Sequence, residues 1–162
     1  YENKSTLLSN IDYLLIIILS KSYTIITIMN NFTNILREHH LKATPQRLAM
    51  LESIDYYGHI NIDKLYEDIK KKFSSISLAT VYKNINAMTK NMLLFEVKLP
   101  NEKSVYEIVK EKHSHLLCES CGVVVDIDID IDTTIEKIEN NNNFQIKQTD
   151  IVFSGVCKDC IK

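Results

Sequence analysis

Four cysteines, set as two Cys-x-x-Cys pairs, constrain this chain more than any other feature. Cys118 and Cys121 make one pair; Cys157 and Cys160, far along the sequence, make the other. Each pair can chelate from one tight turn, and together the four thiolates fill the tetrahedral shell of a zinc ion. No position is left for water, so such a site is structural rather than catalytic. It would tie the start of the C-terminal half to the chain end and supply folding energy. Two alternatives are a pair of unrelated thiol couples and a thioredoxin-like redox motif. The redox motif needs a Cys-x-x-Cys that opens a helix after a strand, and neither pair sits that way. Pairs this tight suit a metal better than a disulfide framework, and nothing suggests export, so a reducing cytoplasm is expected.

Around this clamp the 162 residues divide into three stretches. Residues 1–28 carry the apolar run Tyr13–Leu19, which is shorter than the roughly 20 residues a membrane span needs. They also lack the basic start and small-residue cleavage site of a signal peptide. They are expected to be a non-native leader, with a true start at Met29. Residues 29–108 hold 11 Lys+Arg and 9 Asp+Glu, whereas residues 109–162 hold 6 and 10. A mildly basic half followed by an acidic half fits a nucleic-acid-binding module joined to something else.

Periodicity gives each half its elements. Thr44 is a good N-cap, Pro45 suits the first helical position, and Leu48, Leu51 and Ile54 follow at helical spacing up to Tyr57-Gly58-His59. Ile62, Leu65, Tyr66 and Ile69 mark a second helix, with Lys70, Lys71 and Lys72 as its solvated last turn. Ser77 caps a third helix through Ala79, Val81, Tyr82, Ile85 and Met88. Residues 93–97 and 104–108 then read as a hairpin. Three helices and a hairpin are the order of a winged helix, whose third helix would enter the major groove. In residues 109–162, a strand before Cys118, a strand over Val123–Ile131, a helix opened by the capping-box pattern Thr133-Thr134-Ile135-Glu136, and a strand region over Phe144–Phe153 are expected. This small α/β unit has a thin core and would need a metal and a dimer partner. The fold class is α+β: an N-terminal winged helix and a small C-terminal α/β dimerisation domain with a structural zinc.

A second metal-binding set lacks thiols. His113 and His115 stand two apart, so on a strand they point to one face. Asp126 follows Cys121, Glu107 ends the hairpin, and His59 lies in a turn of the first half, where it is expected to be exposed. Imidazoles with carboxylates suit Fe(II) or Mn(II).

From about Phe32 onward the chain resembles the ferric uptake regulator (Fur) family of metal-dependent repressors. The marks are Leu41-Lys42-Ala43-Thr44-Pro45-Gln46-Arg47, Ser77-Leu78-Ala79-Thr80-Val81-Tyr82, His113 through Gly122, and Gly155-Val156-Cys157-Lys158-Asp159-Cys160. The resemblance implies a homodimeric, non-enzymatic transcriptional repressor, with no membrane association. It implies a regulatory Fe(II) or Mn(II) held by His59, Glu107, His113, His115 and Asp126 at the junction of residues 29–108 with 109–162. The partner is an A·T-rich, near-palindromic DNA operator. Lys42 resembles the family's minor-groove lysine, and Tyr82 and Lys83 lie on the recognition helix. Arg47 meets phosphate, with a surface salt bridge as its rival; core packing is the rival for Tyr82. Lys112, Ser114 and Gln148-Thr149 stand where many iron sensors carry a further site, so that site is expected to be absent. Asp126, where iron sensors usually have Glu, resembles the peroxide-sensing branch (PerR-like). There a ligand histidine is oxidised, His59 and His113 being the implied targets. Glu107 pulls toward an ordinary iron sensor, which is the alternative. Two other classes are a thiol oxidoreductase or metal hydrolase, and a zinc-scaffolded protein adaptor.

Overall fold

The computed structural model describes residues 31–161; the expected leader and its boundary at Met29 lie outside them. The first element is a helix over residues 31–38 (α1), which periodicity did not reveal. It buries Phe32 and Leu36, spaced i,i+4, and ends where His40 takes a left-handed φ of 56°. Leu41 N–H closes the turn on the Leu36 carbonyl at 2.8 Å.

Helix α2 (Pro45–Tyr57) starts as the sequence predicts. Thr44 Oγ1 accepts from Arg47 N–H at 3.4 Å, and proline occupies the first turn, where its missing donor is not needed. Gly58, with φ 69°, breaks it in a conformation costly for other residues. Strand β1 (Ile60–Asn61) follows, and Asn61 caps α3 (Ile62–Lys72) by accepting from Lys64 N–H at 2.9 Å. Lys71 and Lys72 in its last turn pair with Asp68 (2.9 Å) and Glu52 (2.7 Å). Ser77 caps α4 (Leu78–Lys90), accepting from Thr80 N–H at 3.1 Å. Leu51 and Ile54 of α2, Leu65 and Ile69 of α3, and Val81, Ile85 and Met88 of α4 are all fully buried. Each such side chain contributes about 1.5–3 kcal/mol through removal from water.

The hairpin is β2 (Leu94–Val97) with β3 (Val105–Ile108), and β1 adds a third antiparallel strand, in the order β1-β3-β2. The second sheet has β4 (Ser114–Cys118) at its centre, antiparallel to β5 (Val124–Ile127) and parallel to β6 (Val152–Gly155). Helix α5 (Asp132–Asn142) lies between β5 and β6 in the chain and has no buried residue. The expected three helices and hairpin, with α1 and β1 added, and a small α/β unit make the expected α+β fold.

Three local expectations need correction. The strand starting near Val123 stops at Ile127, because Ile127 already pairs with Ser114, the first residue of β4, and nothing remains to receive residues 128–131. Residues 144–151 hold no strand for the same reason: β6 meets β4 only from His115↔Val152 onward. The capping box at Thr133 does not form. Asp130 Oδ1 accepts from Asp132 N–H at 3.1 Å, an Asx turn that starts the helix earlier, at Asp132.

Candidate metal centres and nucleic-acid interface

The four cysteines, far apart in sequence, converge at one end of the second sheet, where the parallel pairing Cys118↔Gly155 sets the ends of β4 and β6 side by side. Cys118 ends β4, a turn through Gly122 (φ 74°) presents Cys121, and the segment after β6 brings Cys157 and Cys160. One sulfur from each lies within 4.8 Å of the others, and Cys121 Sγ and Cys157 Sγ are 3.8 Å apart. A tetrahedral zinc with Zn–S near 2.3 Å sets its sulfurs about 3.8 Å apart, so the cluster has the dimensions of that ion. Cys157 N–H donates to Cys118 Sγ at 3.3 Å. That donor and those of Cys121 and Ser120 hold the Cys118 thiol down at about 6. Cys121, although Val123 N–H favours its thiolate, is pushed up to about 12 by its crowded sulfur neighbours. A cation removes that conflict.

The second cluster is built from both sheets. His59 immediately precedes β1, and the pairing Ile60↔Tyr106 carries it alongside Glu107 on β3. His115 on β4 is the cross-strand partner of Asp126 on β5, and His113 stands just before β4. One donor atom from each of His59, Glu107, His113, His115 and Asp126 lies within 4.8 Å of the rest. His59 Nε2 is 3.1 Å from Asp126 Oδ1, and His113 Nε2 and His115 Nε2 are 3.1 Å apart. His59 is not exposed, as its place in a turn suggested; its side chain is only 9% accessible, covered by the junction.

The donors are set for a cation. His113 Nδ1 lies 2.7 Å from the Glu111 carbonyl; as the N–H it donates there, leaving Nε2 free as a ligand. Burial pushes His115 down, toward the neutral imidazole that binds metals. Burial alone would raise Glu107, but His59, Lys110 and His113 around it hold it at about 2. Asp126, also opposed by burial, is held below its ordinary value by Lys110 and His59. His59 Nε2 is buried with no partner of hydrogen-bond geometry, its nearest contact being Asp126 Oδ1 at 3.1 Å, so an ion would meet a buried nitrogen in need of one. An all-N/O donor set with two carboxylates fits Fe(II) or Mn(II). Glu107, His113 and His115 also line a cavity of about 550 Å³. Lys110, whose ammonium contacts both carboxylates, was not foreseen; a lysine in a connector carries no ligand signal in sequence.

On the first domain, Tyr82 is 43% exposed and Lys83 and Lys42 are exposed, so Tyr82 is not a core residue. Arg47 is engaged within the chain. Its Nε donates to Asn84 Oδ1 at 3.0 Å and its Nη1 to the Lys42 carbonyl at 2.9 Å. Among the described residues its partners are an amide and a carbonyl, not the acid of a surface salt bridge. Asn84, on α4, is a further residue that the sequence did not single out.

The model of the ferric uptake regulator family matches residues 38–154. The chain belongs to the ferric uptake regulator family. It is 30% identical to the peroxide operon regulator of Bacillus subtilis over 129 residues, covering 78% of this chain and 89% of that protein. The Campylobacter jejuni peroxide stress regulator superposes with a TM-score of 0.63 at 38% identity, over 78% of this chain and 97% of that one. The Vibrio cholerae ferric uptake regulator gives 0.66 at 29% identity, over 77% and 98%. This Fur-family chain is therefore a metal-responsive transcriptional regulator, not an enzyme. Among the described residues, no helix is long and apolar enough to cross a membrane.

Proposed function

We propose that the chain is a peroxide-responsive repressor of the cytoplasm. Residues 29–108 form its DNA-binding domain and residues 109–162 its dimerisation domain. The observation that carries the metal-dependent part is the convergence of donors from two sheets: His59 and Glu107 from the first, His113, His115 and Asp126 from the second. Residues joined through one ion lose hinge freedom, which favours the closed dimer whose two recognition helices match successive major grooves. Metal and DNA then raise each other's affinity reciprocally.

In this reading Cys118, Cys121, Cys157 and Cys160 hold zinc. Lys42 enters the minor groove, Tyr82 and Lys83 meet the major groove, and Arg47 serves the same face. The operator is A·T-rich and near-palindromic, as a two-fold dimer requires. Peroxide sensing is supported by Asp126 and by the relatives that bear that name. Bound Fe(II) supplies electron transfer to hydrogen peroxide beside its own ligands. The net change is one oxygen atom added to an imidazole, with water as the other product. His59 and His113 are the targets; both border Asp126 Oδ1, at 3.1 and 3.4 Å, and their loss as ligands opens the junction. The thiolates are spared because zinc occupies their lone pairs.

The test is anaerobic loading with Fe(II) or Mn(II), followed by low peroxide. The Fe(II) protein should leave its operator and gain one oxygen on a peptide containing His59 or His113, while the Mn(II) protein stays bound. Retained DNA binding with unmodified histidines would favour an iron sensor, the reading to which Glu107 points.

A further inference from the structure

Lys110 sits in the connector between the two sheets and touches both acids of the junction cluster, and no ligand role accounts for it. The two carboxylates divide their oxygens in the same way. Glu107 Oε1 faces His113 Nε2 at 3.2 Å and His115 Nε2 at 3.4 Å, while its Oε2 lies 3.1 Å from Lys110 Nζ and 3.5 Å from His59 Nε2. Asp126 Oδ1 faces His59, His113 and His115 at 3.1, 3.4 and 3.7 Å, while its Oδ2 is ion-paired with Lys110. One oxygen of each acid thus faces two or three imidazole nitrogens, while the other has the Lys110 ammonium as its nearest partner, Glu107 Oε2 keeping a longer contact to His59. The two acids belong to different sheets, Glu107 to β3 and Asp126 to β5.

We propose that Lys110 is a positioning residue of the regulatory metal centre. It holds the outer oxygens of Glu107 and Asp126 across the domain junction, so that each acid offers the ion one oxygen only. This inference rests on the metal site described above. Partners that orient ligands from outside the coordination shell typically change metal affinity by about 10- to 100-fold. A lysine that acted only as a nearby positive charge would have the opposite sign: its removal would tighten cation binding, by a few-fold at most given that the side chain is 42% exposed and screened. The direction of the effect therefore separates the two roles.

The experiment uses the full zinc-loaded chain and its Lys110→Met and Lys110→Arg variants. Mn(II) affinity is measured by competition with a chelating dye, and Co(II) added to the second site is followed by its visible absorption. Lys110→Met should bind Mn(II) about tenfold more weakly. Its Co(II) bands should weaken toward those of a higher-coordinate ion, because a freed carboxylate can turn to grip with both oxygens. Lys110→Arg, whose fork can serve two acids, should retain both affinity and spectrum. Equal or tighter Mn(II) binding by Lys110→Met, an unchanged Co(II) spectrum, or an Arg variant as damaged as the Met variant each overturns the proposal. A parent protein that fails to bind Mn(II), or binds it as well after His115→Ala, overturns the metal site itself and Lys110's role with it. Retained zinc in every variant shows that the second domain has folded.

Discussion

Glu107 is the only buried carboxylate among the described residues, with 1% of its surface accessible. An isolated charge so placed would be neutralised or expelled. Here His59, Lys110 and His113 reverse the cost of burial and hold it at about 2, below its ordinary 4.5. The sign of the linkage follows. The unfolded chain binds this proton more readily than the folded one, so the stabilisation is complete above about pH 4.5 and is lost as the pH falls toward 2. Metal-free protein should therefore melt at steadily lower temperature across that window, and Glu107→Gln should flatten this part of the profile. Calorimetry between pH 5 and pH 2 checks it; an unchanged slope in Glu107→Gln would assign the acid loss to other groups. Metal binding weakens on the same acid side, since imidazoles must be neutral and carboxylates ionised to serve as ligands.

Helix α4 shows how one element is aimed by another. Arg47 on α2 reaches Asn84 on α4 and, with the same guanidinium, the carbonyl of Lys42. The segment bearing Lys42 is so tied to the helix bearing Tyr82 and Lys83. Arg47→Ala and Asn84→Ala should each weaken operator binding, and the double variant should lose less than their sum, because both cut one tether. The salt dependence should stay unchanged for both, whereas Lys42→Ala should flatten it by about one unit, as a lost phosphate neighbour does. Flattening of that size in Arg47→Ala would place its guanidinium on DNA. Elements with their own period and caps, such as α2, α3 and α4, were readable in the sequence, and so was the four-cysteine clamp. What could not be read depends on partners. The two-residue β1 is too short for any pattern, yet it alone brings His59 to Glu107. The Asp-Ile alternation after Asp126 mimics a strand, but a strand exists only as far as its neighbour extends. Arg47's hydrogen bonds and Lys110's two acids are tertiary contacts with no signature in spacing.

As a whole, the molecule is unevenly stabilised. The first domain has a continuous core running from Phe32 and Leu36 to Tyr106. In the second, only Leu117 and Cys118 are buried apolar residues, while Val123, Val125, Phe144 and Phe153 remain at least 44% exposed. Apolar side chains exposed on this scale mark a surface that an association would cover, and a zinc ion can stand in for a missing core. Cys118→Ser should lose both the zinc and the dimer, since one thiolate fewer opens the shell and frees the segment after β6 from β4. Metal analysis with sedimentation tests this, and a stable zinc-free dimer of Cys118→Ser would refute the structural role. Chelation should reproduce the effect more readily at lower pH, as protons compete for the thiolates.

Strand β4 carries one member of the junction cluster, His115, and one of the four-cysteine cluster, Cys118, only about 10 Å apart along one backbone. The clamp fixes where that strand stands against its two neighbours. A displacement by a single residue would turn His115 to the opposite side of the sheet and part it from Asp126. The four-cysteine cluster thus serves as the datum from which the junction cluster is measured. Damage to the thiols would then silence the response through misalignment, with every junction ligand chemically intact and the supply of iron unchanged.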